Sequence, residues 1–503
     1  MRRQAGTLVV LKGCRLSISI LSLYFSAKYF GVTIERDVWL LAINVLLIFD
    51  MAIWGPINES FRAKFIFIRE EEGEKEALQK TSSLLLFTNV VTVVLVLLIL
   101  WKPELISTII APTYKGEQLT FLLFMIRIMA PSFLFNQVNQ LLISVLNSYR
   151  SIYVPEIAGL ISGIVNLILI IILAPKIGIL SLVFGYYLSL IFLLILLICQ
   201  IIFKKIKLFS DIKMIKLSDT KPFILFSLPF FIPYFIGQVA LVVEKTISTL
   251  LGYGVVSMLD YSRKFSDILT NILLSILVTM FVPILSSHFM KNNIKGFVFE
   301  LKQIYQFGFL LLIFVVAILT VCPYPFISII YQSGNISDTA LHQISKLTMY
   351  YSWSTIAIFF YYIFGISLLS SKRGKYYALY GSFAQVIMIL LNLLFYKRLN
   401  AYIFPFSLFI SHLIAACLML AKLPYGKREL AKSAMKYISI LLSIILLLYS
   451  INYYFILLNS AFMILFINIF LLTAILLAAL FLFKLDERII LINLYQKVFK
   501  KHK

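Results

Sequence analysis

Apolar residues form long uninterrupted stretches along this chain, and short polar segments separate them. The stretches 82–100, 179–203 and 461–483 are clear examples. As a helix, each is long enough to cross a hydrocarbon core of roughly 30 Å. Because the apolar residues are continuous rather than alternating with polar ones, the pattern indicates membrane-spanning helices and not the strands of a membrane barrel.

The pattern therefore predicts an all-α polytopic membrane protein with about 14 transmembrane helices. Since an even number of spans returns the chain to its starting side, both termini are expected on one face of the membrane. The predicted spans are approximately 8–30, 38–60, 82–101, 120–146, 154–174, 179–203, 222–250, 257–282, 303–325, 343–369, 377–396, 402–421, 437–457 and 461–483.

The charges of the connecting loops predict which face this is. About 30 lysines and arginines lie in the termini and in one set of loops, against about six in the alternate loops, and such a bias marks the cytoplasmic side. The basic segments include 62–80, 204–221, 422–436 and the tail 484–503. We therefore expect both termini in the cytoplasm.

Two pairs of segments indicate an internal repeat. The segment YFGVTIERD (29–37) resembles GYGVVSMLD (252–260), and segment 148–167 resembles 371–393. The pairs occur in the same order, after the first and the fourth span of two six-span blocks. Because six is even, the two blocks would be parallel, related by a pseudo-two-fold axis along the membrane normal.

The repeat predicts four regions: a six-helix lobe over 1–218, a second six-helix lobe over 219–430, helices 13 and 14 over 431–484, and a basic cytoplasmic tail over 485–503. Two lobes joined by a linker are typical of transporters that work by alternating access. Prolines inside spans can bend helices, so we predict hinge or gating positions at Pro131, Pro229 and Pro233.

Composition agrees with a membrane protein. Of 503 residues, 61% are hydrophobic and 13% are charged, which leaves too little polar surface for a soluble protein. The net charge of +23 does not indicate nucleic-acid binding, because the charges lie in short loops. In those loops we expect them to contact anionic phospholipids.

Basic side chains also lie inside two predicted spans, Lys12 and Arg15 in helix 1 and Arg263 and Lys264 in helix 8. A cation within a span costs at least ~2.5 kcal/mol on insertion scales, so it normally faces a polar cavity or a partner. Arg263 could grip a phosphate through two hydrogen bonds, while Lys264 and Arg15 act as point charges. We predict that these four residues bind an anionic substrate.

Acidic residues in or beside the spans leave an alternative open. On helix 8, Asp260 and Asp267 are spaced to pair with Arg263 or Lys264, so the charges could neutralise each other without a ligand. Asp50, deep in helix 2, is the candidate for coupling to H⁺ or Na⁺. The predicted charge partners or ion-coupling residues are Asp37, Asp50, Glu244, Asp260 and Asp267.

The sequence contains little that would indicate an enzyme. The four histidines are scattered, the four cysteines have no metal-like spacing, and no Walker or glycine-rich nucleotide motif is present. We therefore predict no catalytic residues, no metal and no cofactor, with energy coming from the membrane potential or an H⁺ or Na⁺ gradient.

Several segments resemble the MurJ (MviN) family of lipid II flippases, and they follow the family's order. No single motif is specific, but the ordered set is. The segments are FGVTIERD (30–37), IIAPTYKGEQLTFLLFMIRIMAP (109–131), VLNSYRSIYVPEI (145–157), YSRKF (261–265) with VPILSSHF (282–289), and IYQSGNISDTA (330–340).

The resemblance implies the multidrug/oligosaccharidyl-lipid/polysaccharide exporter superfamily, a bacterial inner-membrane location and an undecaprenyl-diphosphate-linked sugar as substrate. It also implies a cationic cavity, and Arg263 stands at the position of one of the family's basic cavity residues. The chain departs from the family at helix 1, where Ser22 stands near the second arginine, and at helix 2, where Asp50 replaces an arginine. We expect a monomer.

Other functions stay open at this point. A flippase for another lipid-linked glycan, such as an O-antigen, capsular or exopolysaccharide unit, would also need cations for a diphosphate. A cation-coupled drug exporter would need an acidic cavity, and Asp50, Glu244 and Asp260 are the residues that favour it. A non-transporting scaffold would tolerate loss of Arg263.

Overall fold

The computed structural model describes residues 2–149, 151, 153–208, 216–277, 281–332, 334–455 and 460–482, without the side chains of 2–10, 12, 275–276 and 455. These residues form α-helices and no strand. The helices are α1 Arg2–Phe30, α2 Ile34–Ile53, α3 Gly55–Glu72, α4 Glu74–Trp101, α5 Pro103–Ile110, α6 Gly116–Met129, α7 Ser132–Ser148, α8 Tyr153–Ile177, α9 Leu180–Phe203, α10 Lys221–Leu251, α11 Val255–Ile276, α12 Val282–Met290, α13 Ile294–Val321, α14 Pro323–Tyr331, α15 Asp338–Ser370, α16 Gly374–Leu399, α17 Ile403–Lys422, α18 Lys427–Phe455 and α19 Ala461–Leu482.

The predicted all-helical membrane protein is confirmed. Within the described residues, nine helical stretches are long and apolar enough to cross a membrane, or up to 11 if each of two bent pairs is one span. The bent pairs are α2–α3, with an angle of 43°, and α6–α7, with an angle of 41°. Predicted spans 38–60 and 120–146 each cover one of these bends.

Proline explains both bends. Pro56 follows Gly55 at the start of α3, and Pro131 separates α6 from α7. A proline has no N–H and so leaves a carbonyl without its helical partner. At the second bend the Tyr187 hydroxyl donates to the Ile128 carbonyl over 2.6 Å. Pro131 thus lies at a break within the predicted span 120–146, whereas its gating role stays a prediction.

The other two predicted hinge residues, Pro229 and Pro233, lie inside α10, which continues as one helix from Lys221 to Leu251. Pro229 is exposed and Pro233 is half-buried. Their part in any motion also stays a prediction.

By internal contacts the chain divides into two units, 1–258 with 334–336, and 259–333 with 337–503. In the first unit, α10 packs against α2, α3 and α5. Its core includes stacked rings of Phe61 and Phe223, with centroids 5.2 Å apart. The predicted lobe limits, 1–218 and 219–430, come from the sequence repeat; they are not tested by this division and remain a prediction.

The second unit is built around an aromatic core. Tyr305 on α13 stacks on Phe360 of α15 at 6.0 Å, and Phe309 contacts Tyr437 of α18 at 5.7 Å. Helices α18 and α19 are joined by a reciprocal pair of amide hydrogen bonds between Asn452 and Asn468, of 2.7 and 2.8 Å.

Candidate functional site

Arg263 and Lys264, the predicted substrate residues of the second unit, lie on a half-buried face of α11. Arg263 Nε is 3.2 Å from Asp267 Oδ1, and the two side chains are 29% and 47% exposed. The predicted pairing of Arg263 with Asp267 along the helix is therefore present. Lys264 and Asp260 are also half-buried. The Arg263–Asp267 pair thus leaves both side chains partly exposed.

Arg15, the predicted substrate residue of the first unit, has a partner that the sequence did not indicate. Its guanidinium lies 3.5 Å from Glu156 of α8, and the side chains are 59% and 25% exposed. Lys12 is in α1 one turn earlier, but its side chain lies outside the described residues. Arg15 belongs to the first unit and Arg263 and Lys264 to the second, so the cavity that would unite them remains a prediction.

Asp37 proves to be a helix cap. Its Oδ2 accepts from the Gly254 amide over 2.6 Å, and its Oδ1 accepts from the Ser257 amide over 2.7 Å and from the Ser257 hydroxyl. The side chain is fully buried. Because these donors form the N-terminus of α11, their free N–H groups and the helix dipole both favour a carboxylate there.

The turn around this cap is tightly closed. Gly254 has φ +81°, and a Cβ there would lie 2.7 Å from a methyl carbon of Val32. Gly31, its counterpart in the repeat, has φ +58°, and a Cβ there would overlap the Asn335 carbonyl. Two glycines matched by sequence thus occupy positive-φ turns, and the cap fixes the start of the helix that carries Arg263.

Asp50 lies in the last turn of α2, just before the first bend, and is 3% exposed. Its Oδ2 accepts a 2.9 Å hydrogen bond from Asn136 Nδ2 of α7. Among the described residues its Oδ1 has no hydrogen-bond partner. Asn136 follows Pro131 closely, so this bond joins the two bent helices beside their bends.

Glu244 and Lys245 neutralise each other. They are adjacent in α10, 3.3 Å apart, with side chains 6% and 11% exposed. A buried pair of this kind is costly to separate, since each charge would be left without compensation. Glu244 is therefore poorly placed to attract a cationic substrate.

The first turns of α4 and the segment that follows α9 form a basic pocket in the first unit. Its volume is about 640 Å³, and Lys75, Lys205 and Lys207 are among its lining residues. Beside it, Tyr149 Oη donates to Glu74 over 2.7 Å. Burial and this hydrogen bond raise the pKa of the Tyr149 phenol above its usual range.

Two residues at these sites carried no usable sequence signal: Glu156 and Asn136. The buried His412 of α17 carried none either. His412 packs edge-on against Tyr361, with ring centroids 5.1 Å apart. A single histidine or asparagine on an apolar helix is usually a core residue, and only the fold reveals its neighbours.

Comparison with known proteins supplies the remaining information. The family model described as lipid II flippase MurJ matches residues 26–477. A solved structure of lipid II flippase MurJ in an inward closed conformation superposes with a TM-score of 0.78, at 19% identity, covering 95% of this chain and 99% of the other. A search of curated proteins found no match.

More distant structures share the fold. An inward-facing multidrug resistance MATE family transporter of the MOP superfamily superposes with a TM-score of 0.70 at 13% identity, covering 84% of this chain and 99% of the other. A MOP superfamily transporter from Pyrococcus furiosus gives 0.60 at 12% identity, covering 84% and 94%.

Proposed function

We propose that this chain moves an undecaprenyl-diphosphate-linked saccharide of the lipid II type from the inner to the outer leaflet. The chain belongs to the MurJ lipid II flippase family. Members of that family are multi-pass proteins of the bacterial inner membrane that serve peptidoglycan synthesis. The observation that carries the substrate class is the set of half-exposed cations, Arg263, Lys264 and Arg15, on helices that are otherwise apolar.

The chemistry of these cations suits a diphosphate. Arg263 can form two parallel hydrogen bonds to phosphate oxygens, and a lysine ammonium adds charge without fixed geometry. Arg263 contacts Asp267 and Arg15 contacts Glu156, and part of each arginine side chain stays exposed. A headgroup with at least two negative charges could displace Asp267 and Glu156 from these pairs.

The proposed mechanism is alternating access in a 14-helix monomer with both termini in the cytoplasm. The headgroup enters from the inner leaflet while the prenyl chain stays in lipid, and the two lobes rock to release it outward. A potential negative inside favours outward movement of an anion by ~2.3 kcal/mol per charge per 100 mV, so no cofactor is required. The basic pocket at Lys75, Lys205 and Lys207 is positioned to hold anionic phospholipid.

Complementation tests the proposal. The chain and its Arg263→Ala variant would be expressed in a bacterium depleted of its own lipid II flippase. Arg127→Ala is a matched control, because Arg127 also forms an ion pair, with Glu104 at 3.1 Å and with side chains 48% and 52% exposed. We expect the wild type and the control to restore growth and Arg263→Ala to fail at equal membrane levels.

Two outcomes would contradict this. Rescue by Arg263→Ala would remove Arg263 from the substrate site. Failure of a well-inserted wild type would exclude lipid II in that host and favour another lipid-linked glycan.

A further inference from the structure

Asp50 lies where two bent helices meet. It is in the last turn of α2 before the 43° bend, and its partner Asn136 lies in α7 just after the 41° bend. A polar pair beyond the first bend lies nearby, where Asn58 Nδ2 of α3 is 3.5 Å from Gln137 Oε1 of α7. Four polar side chains thus join the two bends inside the first unit.

Some polar atoms of these side chains form no hydrogen bond. Within the described part of the chain, Asp50 Oδ1, Asn58 Oδ1 and Gln137 Nε2 are buried atoms without a hydrogen-bond partner. Asp50 is 3% exposed and Gln137 is fully buried. Buried polar atoms are nearly always paired, so the two unpaired oxygens, Asp50 Oδ1 and Asn58 Oδ1, call for a missing partner. Carboxylate and amide oxygens are the ligands that small hard cations prefer.

No basic side chain supplies that partner. In the described residues no lysine or arginine forms an ion pair with Asp50, and Tyr186 of α9 is the titratable group that interacts with it electrostatically. The helices packed against α2 are α3, α6, α7 and α10. Charged groups on them have other contacts: Glu59 with Tyr234, Arg127 with Glu104, and Glu244 with Lys245.

We propose that Asp50, with Asn136 and the adjacent Asn58–Gln137 pair, is a binding site for a single positive charge, carried by a proton or a sodium ion. A carboxylate buried in a membrane without a counter-charge is costly, and either ion removes that cost. Protonation of Asp50 also weakens its bond to Asn136, because hydrogen bonds to ionised acceptors are roughly twice as strong as those to neutral ones. Ion binding is thereby linked to the packing of the two bends.

The test uses the purified full chain in detergent without any lipid substrate, so its result is independent of the flippase assignment. Infrared difference spectra from about pH 5 to about pH 9, with and without NaCl, detect a protonated carboxyl group. Binding of radioactive Na⁺ is measured on the same samples. The variants are Asp50→Asn, Asn136→Leu and the control Glu104→Gln, whose carboxylate is on the surface.

If the site takes a proton, a carboxyl band is present in the wild type and in Glu104→Gln and is absent in Asp50→Asn. If it takes sodium, one Na⁺ per chain binds to the wild type and the control, and Asp50→Asn abolishes it. Asn136→Leu keeps the carboxylate, so it tests the site even if Asp50→Asn does not fold. It should weaken Na⁺ affinity by about tenfold. It should instead move the carboxyl band to higher pH if the site takes a proton, because the lost hydrogen bond favours the ionised carboxylate. An Asp50 that is ionised throughout and binds no Na⁺ would overturn the proposal.

Discussion

The cap formed by Asp37 on α11 offers the sharpest test of the structure. Asp37→Ala would leave the amides of Gly254 and Ser257 without their acceptors. Each buried donor left unpaired lowers the free energy of unfolding by about 1–3 kcal/mol, so the two amides together would lower it by about 2–6 kcal/mol. Because water can enter the space left by the carboxylate, we expect about 3 kcal/mol. Asp37→Asn keeps one acceptor and should lose about half of this.

Heat unfolding of the purified protein measures the effect. For a unit of this size, 1 kcal/mol corresponds to about 2–4 °C in the midpoint, so Asp37→Ala should lower it by about 6–12 °C. Fluorescence of Trp39, in the same helix as Asp37, can follow the transition. Asp338→Ala is the matched control: Asp338 is also in the first turn of a helix but is exposed, so its loss should cost about 0.3–1 kcal/mol.

A drop for Asp37→Ala no larger than that for Asp338→Ala would refute the reasoning, because it would mean that the α11 amides find other acceptors at little cost. If Ser257→Ala lowers the unfolding midpoint as much as Asp37→Ala does, the Ser257 hydroxyl and not the carboxylate stabilises the turn. We expect Ser257→Ala to cost about 1 kcal/mol, since it removes one hydrogen bond.

Two further predictions concern packing. Gly254→Ala places a methyl 2.7 Å from the Val32 side chain at a positive φ, so it should lower the free energy of unfolding by about 1–3 kcal/mol, measured by heat unfolding. Adding Val32→Ala should restore only the part of that loss caused by the clash. A Gly254→Ala variant as stable as the wild type would contradict the observed turn. Asn468→Leu leaves Asn452 without its partner and should destabilise the packing of α18 against α19. A double-mutant cycle of these two asparagines should give a coupling free energy of about 0.6–1.7 kcal/mol. A coupling near zero would show that the two amide hydrogen bonds contribute nothing to stability.

The spans could be predicted because their signal is local. A continuous apolar stretch admits few structures in a membrane other than a helix, and Pro131 marks a break from the sequence alone. The placement of α10 could not be predicted, because it depends on contacts with α2, α3 and α5. Hydropathy identifies a membrane helix without indicating which neighbours it will have.

The partners of the charged residues were much less predictable. Arg263 and Asp267 are one turn apart, and that pair follows from helical spacing. Asp50 and Asn136 are 86 residues apart, and Asp37 and Ser257 are 220 apart. Each acid in the spans had several possible partners, and the choice depends on tertiary packing. Asp37 was expected to be a charge partner or an ion-coupling residue, whereas its carboxylate accepts from two backbone amides and the Ser257 hydroxyl.

Exposure separates the ion pairs that can exchange partners from those that cannot. Arg15–Glu156 and Arg263–Asp267 are partly exposed, and such pairs are typically worth about 0–1 kcal/mol. Glu244–Lys245 is nearly buried, and breaking a buried pair costs about 3–5 kcal/mol. An incoming phosphate can therefore replace Glu156 or Asp267 for a small cost, whereas it would have to overcome a much larger one at Lys245. This difference favours Arg15 and Arg263 over Lys245 for the proposed substrate role.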